Sequence, residues 1–376
     1  MGRVHSAAYR RVAHHYPDCA GVPRLVIAAE ESEERARHAA DELGYERSTS
    51  VWQAVVDDSD VEAVSIAVPN DLHRDVALAA AAAGKHIWIE KPAGRLPEET
   101  AEIAAAVESA QVRSLVGFNY RQAPAVQHAR RLIHSGALGV VDHFRSQWIA
   151  GYAASPQGAL TWRFLRDRAG LGVLGDLGSH AVDLAQFLLG PVAQVVAHTQ
   201  TVVAKRPLPD AAGTHFDVVE GGELAPVENE DVVRSIVRFE HGLTGTIEAS
   251  RVAVGPQARY AFEVHGDRGA LAWDFERMNE LSVFLPLETG DAGYARVLMG
   301  PRHEPHGRFQ PGSGLPIGYD DLKVVEAALF LESVVDGEQR EPGLREALSA
   351  ARVIAAMERS AATGAWEPVG ELALSR

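Results

Sequence analysis

The sequence has 376 residues, yet it contains a single cysteine, no long apolar run, and fewer basic than acidic residues. Cys19 alone cannot form an internal disulfide or a CxxC metal site, which is typical of a protein from a reducing compartment. No apolar segment approaches the ~18 residues of a membrane span, and the amino terminus has no signal-peptide pattern. We therefore expect a cytoplasmic protein.

The shortage of basic residues also limits the partners. There are 36 Lys and Arg residues against 51 Asp and Glu residues, which gives a net charge of −15. This charge argues against an extended surface for nucleic acid or an anionic membrane, but not against a local pocket for a small anion. The composition, 46% hydrophobic and 23% charged, is that of an ordinary globular protein. The length corresponds to about two domains.

Short apolar runs alternate with helical patterns in the first third of the sequence. The predicted strands are 25–29, 63–68, 86–90 and 113–119. The predicted helices are 4–16, 33–43, 71–83 and 97–110. Gly44 and Pro97 are the expected helix-ending and helix-starting residues. Unbroken apolar strands separated by helices are typical of a buried parallel sheet, so we predict a doubly wound α/β domain over residues 1–121.

The rest of the chain has a different pattern, with strand-like stretches and few helices between them. The predicted strands are 140–152, 192–206, 231–240, 243–252, 259–265 and 270–275. Two helices, near 320–336 and 344–363, end the chain, and 207–230 is predicted to be a long surface loop. We therefore predict a second, α+β domain over residues 122–376 with a large, mostly antiparallel open sheet.

Ligands of doubly wound sheets bind at the carboxyl ends of the strands. Glu30 ends one predicted strand, and its carboxylate is suited to accept hydrogen bonds from a ribose 2′-hydroxyl while repelling a 2′-phosphate. This placement favours NAD over NADP. The alternative is a solvated glutamate at the start of an acidic pair.

A glycine-rich loop between a strand and a helix would bind the pyrophosphate of such a cofactor. Here the sequence begins Met1-Gly2 directly at a helix. If Gly2 is the third glycine of the G-x-G-x-x-G pattern, the first strand and two glycines are missing. We therefore expect a misassigned start codon or a truncated sequence.

Lys91 follows a predicted strand and precedes Pro92, which restricts the backbone around the lysine. A cation at the mouth of a dinucleotide crevice can bind a substrate hydroxyl and lower its pKa. The alternative is an ordinary surface lysine.

Asp176 and His180 are four residues apart in a predicted helix, so they lie on one face of it. A carboxylate beside an imidazole can form a general acid–base pair. Two alternatives are a structural capping role for Asp176 and a metal site that adds Asp183. The metal site is the weaker one, because no ligands from the second domain are apparent.

These residues resemble those of the Gfo/Idh/MocA family, and the resemblance covers essentially the whole chain. The matching segments, in order, are Met1-Gly2, Ala67-Val-Pro-Asn-Asp-Leu-His73, Glu90-Lys-Pro-Ala-Gly94, Gly117-Phe-Asn-Tyr-Arg121 and Gly175-Asp-Leu-Gly-Ser-His180. The combination of Glu-Lys-Pro after a strand with a later Asp-x-x-x-His is specific. Thr161-Trp-Arg-Phe164 and Gly318-Tyr-Asp-Asp321 are most similar to the branch that contains levoglucosan and inositol dehydrogenases.

The resemblance implies a Rossmann domain, followed by a domain whose open sheet joins subunits into a homodimer or homotetramer. It also implies NAD(P)-dependent oxidation of a secondary hydroxyl on a sugar, anhydrosugar or cyclic polyol. Lys91 would polarise that hydroxyl, His180 would accept its proton, and Asp176 would orient the site and contact the substrate.

Further residues take their expected roles from the same resemblance. The residues expected to line the cofactor are Gly2, Glu30, Pro69, Asn70, His73, Glu90 and Lys91. The additional substrate-side candidates are Asn119, Tyr120, Arg121, Trp162 and Arg163. For Trp162, plain core packing is an equal alternative.

Two other functions are compatible with this fold. One is a glycoside hydrolase that uses transient oxidation by NAD to help cleave a glycosidic bond. The other is a sugar- or NAD-sensing regulator without catalysis, although the presence of Lys91, Asp176 and His180 together argues against it.

Overall fold

Helices and short strands alternate through the first third of the chain in the computed structural model, which describes residues 1–19, 21–209, 214, 217–286 and 292–372. The elements are α1 (Gly2–His15), β1 (Ile27–Ala29), α2 (Glu33–Leu43), β2 (Arg47–Thr49), α3 (Gln53–Asp57), β3 (Ala63–Ile66), α4 (Asn70–Ala82), β4 (His86–Ile89), α5 (Pro97–Ala110) and β5 (Ser114–Val116). All four predicted strands and all four predicted helices are present. β2 and α3 were not predicted.

The helix boundaries follow local sequence signals. Ser32 caps α2 because its hydroxyl accepts a hydrogen bond from the amide of Arg35 (3.3 Å). The helix ends at Gly44, whose φ of 76° is in the left-handed region that glycine tolerates. Pro97 is the first residue of α5, where a missing amide hydrogen costs nothing.

The strands of this domain are parallel, as predicted, and they form two separate ladders. β1 pairs with β2, and β4 lies between β3 and β5. Within the described residues no ladder joins β1 to β3. Ile87, Trp88 and Ile89 of β4 are fully buried. The carboxyl ends of these strands face one edge, where Glu30 and Glu90 lie.

The remainder of the chain builds one large sheet and the helices around it. The elements are α6 (Pro124–His134), β6 (Val141–Ile149), α7 (Arg166–Ala169), α8 (Ser179–Leu189), β7 (Val192–Gln200), β8 (Lys205–Pro207), β9 (Leu224–Pro226), β10 (Val232–Phe239), β11 (Thr244–Ser250), β12 (Arg259–Gly266), β13 (Ala270–Asp274), β14 (Glu280–Phe284), β15 (Ala295–Leu298), α9 (Tyr319–Asp336), α10 (Leu344–Thr363) and β16 (Glu367–Pro368).

Within the described residues the large sheet has nine strands, in the order β15-β14-β13-β12-β6-β11-β10-β7-β16. Its β6–β11 pair is parallel and the other pairs described are antiparallel, so the prediction of a mostly antiparallel sheet is confirmed. The predicted strand 192–206 was too long, because β7 ends at Gln200 and β8 pairs with β9 in a separate hairpin. α6, β14 and β15 were not predicted. Part of the predicted 207–230 loop, residues 210–213 and 215–216, lies outside the described residues.

The two faces of the large sheet differ. α8 and α10 cover one face, whereas charged side chains on the other, such as Arg145, Arg234, Glu248 and Glu263, remain partly exposed. α9 packs against α1 and β5 of the first domain. No helix among the described residues is both long and apolar enough to cross a membrane.

Candidate active site

Lys91 is the second residue after β4 and reaches across to the segment that precedes α8. Its Nζ donates hydrogen bonds to the carbonyl oxygen of Asp176 (2.8 Å) and to Oδ1 of the same residue (2.9 Å). Both side chains are partly exposed, Lys91 at 15% and Asp176 at 24%. The Lys91–Pro92 peptide bond is cis. The structure thus brings together two of the three predicted catalytic residues.

Asp176 is also contacted by two residues of the second domain. The Tyr152 hydroxyl donates to Oδ2 (2.5 Å), and Arg163 Nη1 lies 3.9 Å from Oδ1. Burial would raise the pKa of Asp176, but Lys91, Arg163 and the Tyr152 hydrogen bond outweigh it and hold that pKa well below its usual range. Asp176 is therefore an ionised acceptor that fixes the Lys91 ammonium.

A π-helical turn, Leu174–Gly178, presents Asp176. Glu230 braces this turn, because its Oε1 accepts a hydrogen bond from the Leu174 amide (2.9 Å). Gly172 permits the close approach, since a Cβ there would lie 2.2 Å from the Glu230 carbonyl oxygen. The sequence predicted that Asp176 and His180 are i,i+4 neighbours in one regular α-helix. In the structure Asp176 lies in the wider π-helical turn and His180 in α8, so this regular spacing is not kept.

His180 lies in the first turn of α8 and is buried among aromatic rings. Its ring centroid is 5.0 Å from those of Trp148 and Tyr120 and 5.6 Å from that of Phe118. Burial lowers the pKa of His180 well below its usual range, and the positive charge of Lys91 lowers it further. Its ring nitrogens have no hydrogen-bond partner within the described part of the chain. The imidazole is therefore neutral and able to accept a proton.

Two of the predicted substrate-side residues lie near Asp176, which Arg163 approaches to 3.9 Å. Trp162 and Arg163 lie in a 3-10 turn, with the Arg163 guanidinium 4.5 Å from the Trp162 ring centroid. Asn229 holds the turn by donating to the Arg163 carbonyl oxygen (3.0 Å). Both candidates are partly exposed rather than packed in the core. Tyr120 lies in the aromatic group around His180.

Arg121, another substrate-side candidate, forms an ion pair with Asp183. Arg121 donates from Nε to Asp183 Oδ2 (2.7 Å) and from Nη2 to Oδ1 (2.5 Å), and both residues are buried. The described residues contain no group of three or more His, Cys, Asp or Glu side chains able to hold a metal. Asn119 is also buried, and within the described residues its Nδ2 has no hydrogen-bond partner.

Several predicted cofactor residues line the edge formed by the strand ends. Gly2 begins α1; among the described residues no side chain caps the first turn of this helix, and none lies within 4 Å of where a Cβ on Gly2 would be. Glu30 follows β1, is 40% exposed, and lies 3.5 Å from Arg35. Pro69 and Asn70 begin α4, with Asn70 Nδ2 donating to the Ala169 carbonyl oxygen. Free helix amides beside an exposed carboxylate fit the pyrophosphate and ribose of a dinucleotide.

His73 and Glu90, also predicted to line the cofactor, both make hydrogen bonds within the protein at this edge. The His73 ring nitrogens lie 2.9 Å from the carbonyl oxygens of Pro92 and Val68. Glu90 Oε1 accepts hydrogen bonds from His5 Nε2 (2.8 Å) and Lys323 Nζ (2.7 Å). These contacts join the ends of β3 and β4 to the surrounding helices.

Sequence reasoning missed three residues of this region. Tyr152 contacts Asp176, Glu230 braces the turn, and Lys323 contacts Glu90. Tyr152 is the last residue of the predicted strand 140–152. Its polar hydroxyl at a strand end is a signal that could have identified it as a candidate. Glu230 and Lys323 have no local pattern, because their partners are distant in sequence.

A domain of parallel strands with helix amino termini at its strand-end edge is joined to a domain with a large mixed sheet, an arrangement typical of nucleotide-dependent oxidoreductases. Residues 1–118 match the family described as "Oxidoreductase family, NAD-binding Rossmann fold". Residues 126–272 match the GFO/IDH/MocA C-terminal domain. The chain belongs to the Gfo/Idh/MocA family, and its amino-terminal part is an NAD-binding Rossmann domain.

The chain is similar to sugar and polyol dehydrogenases over nearly its full length. It is 36% identical to levoglucosan dehydrogenase of Pseudarthrobacter phenanthrenivorans, over 99% of this chain and 96% of the relative. It is 27% identical to inositol 2-dehydrogenase of Rhizobium meliloti, over 96% and 94%. A solved levoglucosan dehydrogenase in complex with NADH and levoglucosan matches with a TM-score of 0.93 and 35% identity, covering 99% of this chain and 97% of that one.

Proposed function

We propose that this protein is an NAD-dependent dehydrogenase that oxidises a secondary hydroxyl of a sugar, anhydrosugar or cyclic polyol. The observation that carries the proposal is the pairing of Lys91 with ionised Asp176 near His180, a neutral imidazole whose ring nitrogens bond to none of the described residues. Residues 1–121 would bind the cofactor and residues 122–376 would complete the substrate site.

Each of the three side chains has a distinct task in this proposal. Lys91 donates a hydrogen bond to the reacting hydroxyl oxygen and stabilises the negative charge that develops on it. Asp176 holds the Lys91 ammonium in place and contacts the substrate. His180 accepts the hydroxyl proton, because its lowered pKa keeps it unprotonated at neutral pH.

The bound NAD supplies the hydride acceptor. Gly2, Glu30, Pro69 and Asn70 are the residues of this chain that would hold it, with the Glu30 carboxylate favouring NAD over NADP. Lys91 would also face the cofactor from the end of β4.

The substrate-side residues suit a cyclic, polyhydroxylated ligand. Trp162, stacked by Arg163, offers a flat face for the C–H surface of a sugar ring. Arg163, which is partly exposed, supplies hydrogen-bond donors for ring hydroxyls, and Tyr120 lies on the aromatic side of the site. The full-length similarity to a levoglucosan dehydrogenase supports the same substrate class.

The assembly we propose is a homodimer or homotetramer formed through the open face of the nine-stranded sheet. Partly exposed rows of opposite charge on that face, such as Arg145 beside Glu263, support a self-complementary contact. The single cysteine supports a cytoplasmic location.

The test is reduction of NAD and NADP, followed by absorbance, with inositols, levoglucosan and common aldoses as substrates. We expect stoichiometric NADH formation with at least one of them and a preference for NAD. Glycoside cleavage without net NADH would instead indicate a redox-assisted hydrolase. Binding of NAD and sugar without either reaction would indicate a sensor.

A further inference from the structure

Four charged or polar side chains form a sealed group beneath the active site, which we call the Glu90 cluster: His5, Glu90, Lys323 and Glu326. Lys323 Nζ lies 2.7 Å from Glu90 Oε1 and 2.8 Å from Glu326 Oε2. Lys323 and Glu326 are fully buried. The cluster joins three distant parts of the chain: α1, the end of β4, and α9.

The charges of this cluster reduce to one ion pair. Burial would lower the pKa of Lys323, but the neighbouring side chains of Glu326 and Glu90 raise it. Burial raises the pKa of Glu326 to about 8 even though the adjacent Lys323 ammonium lowers it, which favours the protonated carboxyl at neutral pH. Burial lowers the pKa of His5 to about 4, so a neutral imidazole donates to Glu90. The remaining pair is the Lys323 ammonium and the Glu90 carboxylate.

This ion pair leaves Glu90 little freedom to move. His5 and Lys323 hold Oε1, and Gly117 closes the side of Oε2, where an added Cβ would lie only 2.7 Å away. The Glu90 amide is bonded to the Ile66 carbonyl oxygen. The backbone that continues into the next residue is therefore fixed.

That next residue is Lys91, and its other neighbour is fixed as well. The His73 Nδ1 atom lies 2.9 Å from the Pro92 carbonyl oxygen. The lysine is thus held between two anchored residues, and its ammonium is placed on Asp176.

We propose that Lys323 is a positioning residue for the oxidation reaction: by anchoring Glu90, it fixes the end of β4 and so places Lys91 against Asp176 and the reacting hydroxyl. The proposal rests on the proposed function. Lys323 acts through Glu90 and does not itself touch the substrate.

The sequence offers a matched control among its four lysines, Lys85, Lys91, Lys205 and Lys323. Lys85 precedes the same strand, β4, and its Nζ donates to the carbonyl oxygens of Asp58 (2.9 Å) and Val61 (2.7 Å). Lys85→Met therefore removes a lysine anchor at the opposite end of β4, away from the site.

The experiment compares Lys323→Met, Lys85→Met and the double variant Lys323→Met/Glu90→Gln. The double variant removes both charges of the Lys323–Glu90 pair, so it remains informative if Lys323→Met does not fold. The measurements are kcat and KM for the sugar, affinity for NADH, the thermal midpoint, and the pH profile of kcat/KM.

We expect Lys323→Met and the double variant each to lower kcat about 10-fold or more, with NADH affinity changed less than about threefold, because small displacements of a catalytic group are costly. Lys85→Met should lower only the thermal midpoint. In Lys323→Met the acidic limb of the pH profile should also move to higher pH, because the Lys323 charge that lowers the pKa of His180 is gone.

Three results would overturn the positioning role. Recovery of kcat in the double variant, together with return of the acidic limb, would show that Lys323 acts only through its charge on His180. Unchanged kcat in Lys323→Met, or an equal loss in Lys85→Met, would show that the anchor is not specific. Wild-type turnover is measured first, since its absence contradicts the proposed function rather than the anchor.

Discussion

Glu90 and Lys91 are adjacent in sequence, but their side chains lie in two different electrostatic environments. Glu90 is 9% exposed and belongs to the sealed Glu90 cluster. Lys91 is more exposed and belongs to what we call the open cluster, Lys91, Asp176, Tyr152 and Arg163. In the sealed cluster the Lys323 ammonium pairs with the Glu90 carboxylate. The open cluster instead lies near the neutral imidazole of His180, whose ring nitrogens have no hydrogen-bond partner in the described part of the chain.

The difference predicts two kinds of response to substitution. Breaking a buried ion pair by removing one partner leaves an uncompensated charge and costs about 3–5 kcal/mol of stability. Pairs that reach solvent contribute little to stability, typically below about 1 kcal/mol. Substitutions in the open cluster should therefore reduce activity while sparing the fold, and those in the sealed cluster should affect stability as well.

The largest expected effect belongs to Lys91→Ala. It removes the ammonium that stabilises the developing charge, so kcat for sugar oxidation should fall at least about 10²-fold. The thermal midpoint should change little, because the Lys91–Asp176 pair is partly exposed. Steady-state kinetics and thermal unfolding measure both quantities, with exposed Lys205→Ala as the control. Retention of kcat within about threefold would contradict the role of Lys91.

His180 provides a pH test of the open cluster. Its pKa lies well below the usual imidazole range, and the base must be unprotonated to act. The pH profile of kcat/KM should therefore be flat from about pH 6.5 upward to neutrality and fall only at lower pH, as His180 becomes protonated. His180→Asn should lower kcat about 10²-fold and abolish this acidic limb. An acidic limb centred above pH 6.5 would instead indicate a different base.

Tyr152→Phe should have a smaller effect within the same cluster. The variant removes the hydroxyl that donates to Asp176 Oδ2 but leaves Lys91 on Oδ1. We expect kcat to fall about 10-fold, since Asp176 loses one of the contacts that fix its carboxylate. The control is Tyr45→Phe, which removes a hydroxyl bonded to Ser6. Equal kcat in the two variants would exclude Tyr152 from the site.

Local sequence patterns predicted much of the fold and two residues of the open cluster, Lys91 and Asp176. Helices α2, α5 and α10 have the predicted bounds because capping serine, first-turn proline or terminal glycine marks their ends. Lys91 was found because a proline follows it at a strand end. The parallel sheet was predicted because its strands are continuous apolar runs.

The sealed cluster could not be predicted from the sequence. Lys323 lies 233 residues from Glu90, and a lysine within a helix is ordinarily a solvated residue. The strands Arg47–Thr49 and Ala295–Leu298 were missed because they are short, polar or exposed, and their pairing depends on neighbouring strands. The π-helical turn was missed because Glu230, whose carboxylate accepts a hydrogen bond from it, lies 56 residues away in sequence.

Glu326→Gln tests the protonation of the sealed cluster and has the smallest expected effect. Burial raises the pKa of Glu326 from its ordinary 4.5 to about 8 in the folded protein. At a pH between these two pKa values, Glu326 takes up a proton when the protein folds. The protonated Glu326 therefore contributes its full stability below about pH 4.5, and that contribution is lost as the pH rises towards 8. Glutamine resembles the protonated acid and binds no proton. The thermal midpoint of the variant, measured against that of the wild type, should therefore rise by a few degrees between about pH 5 and pH 9.

The control for this measurement is Glu108→Gln, at an exposed position on α5. Its thermal midpoint should follow that of the wild type at every pH, because an exposed carboxyl has no buried proton to lose. If Glu326→Gln is instead less stable than wild type by the same amount across this pH range, Glu326 is ionised and contributes to holding Lys323. The sealed cluster would then contain two carboxylates around one ammonium, and the Lys323–Glu90 pair would no longer be its sole ion pair.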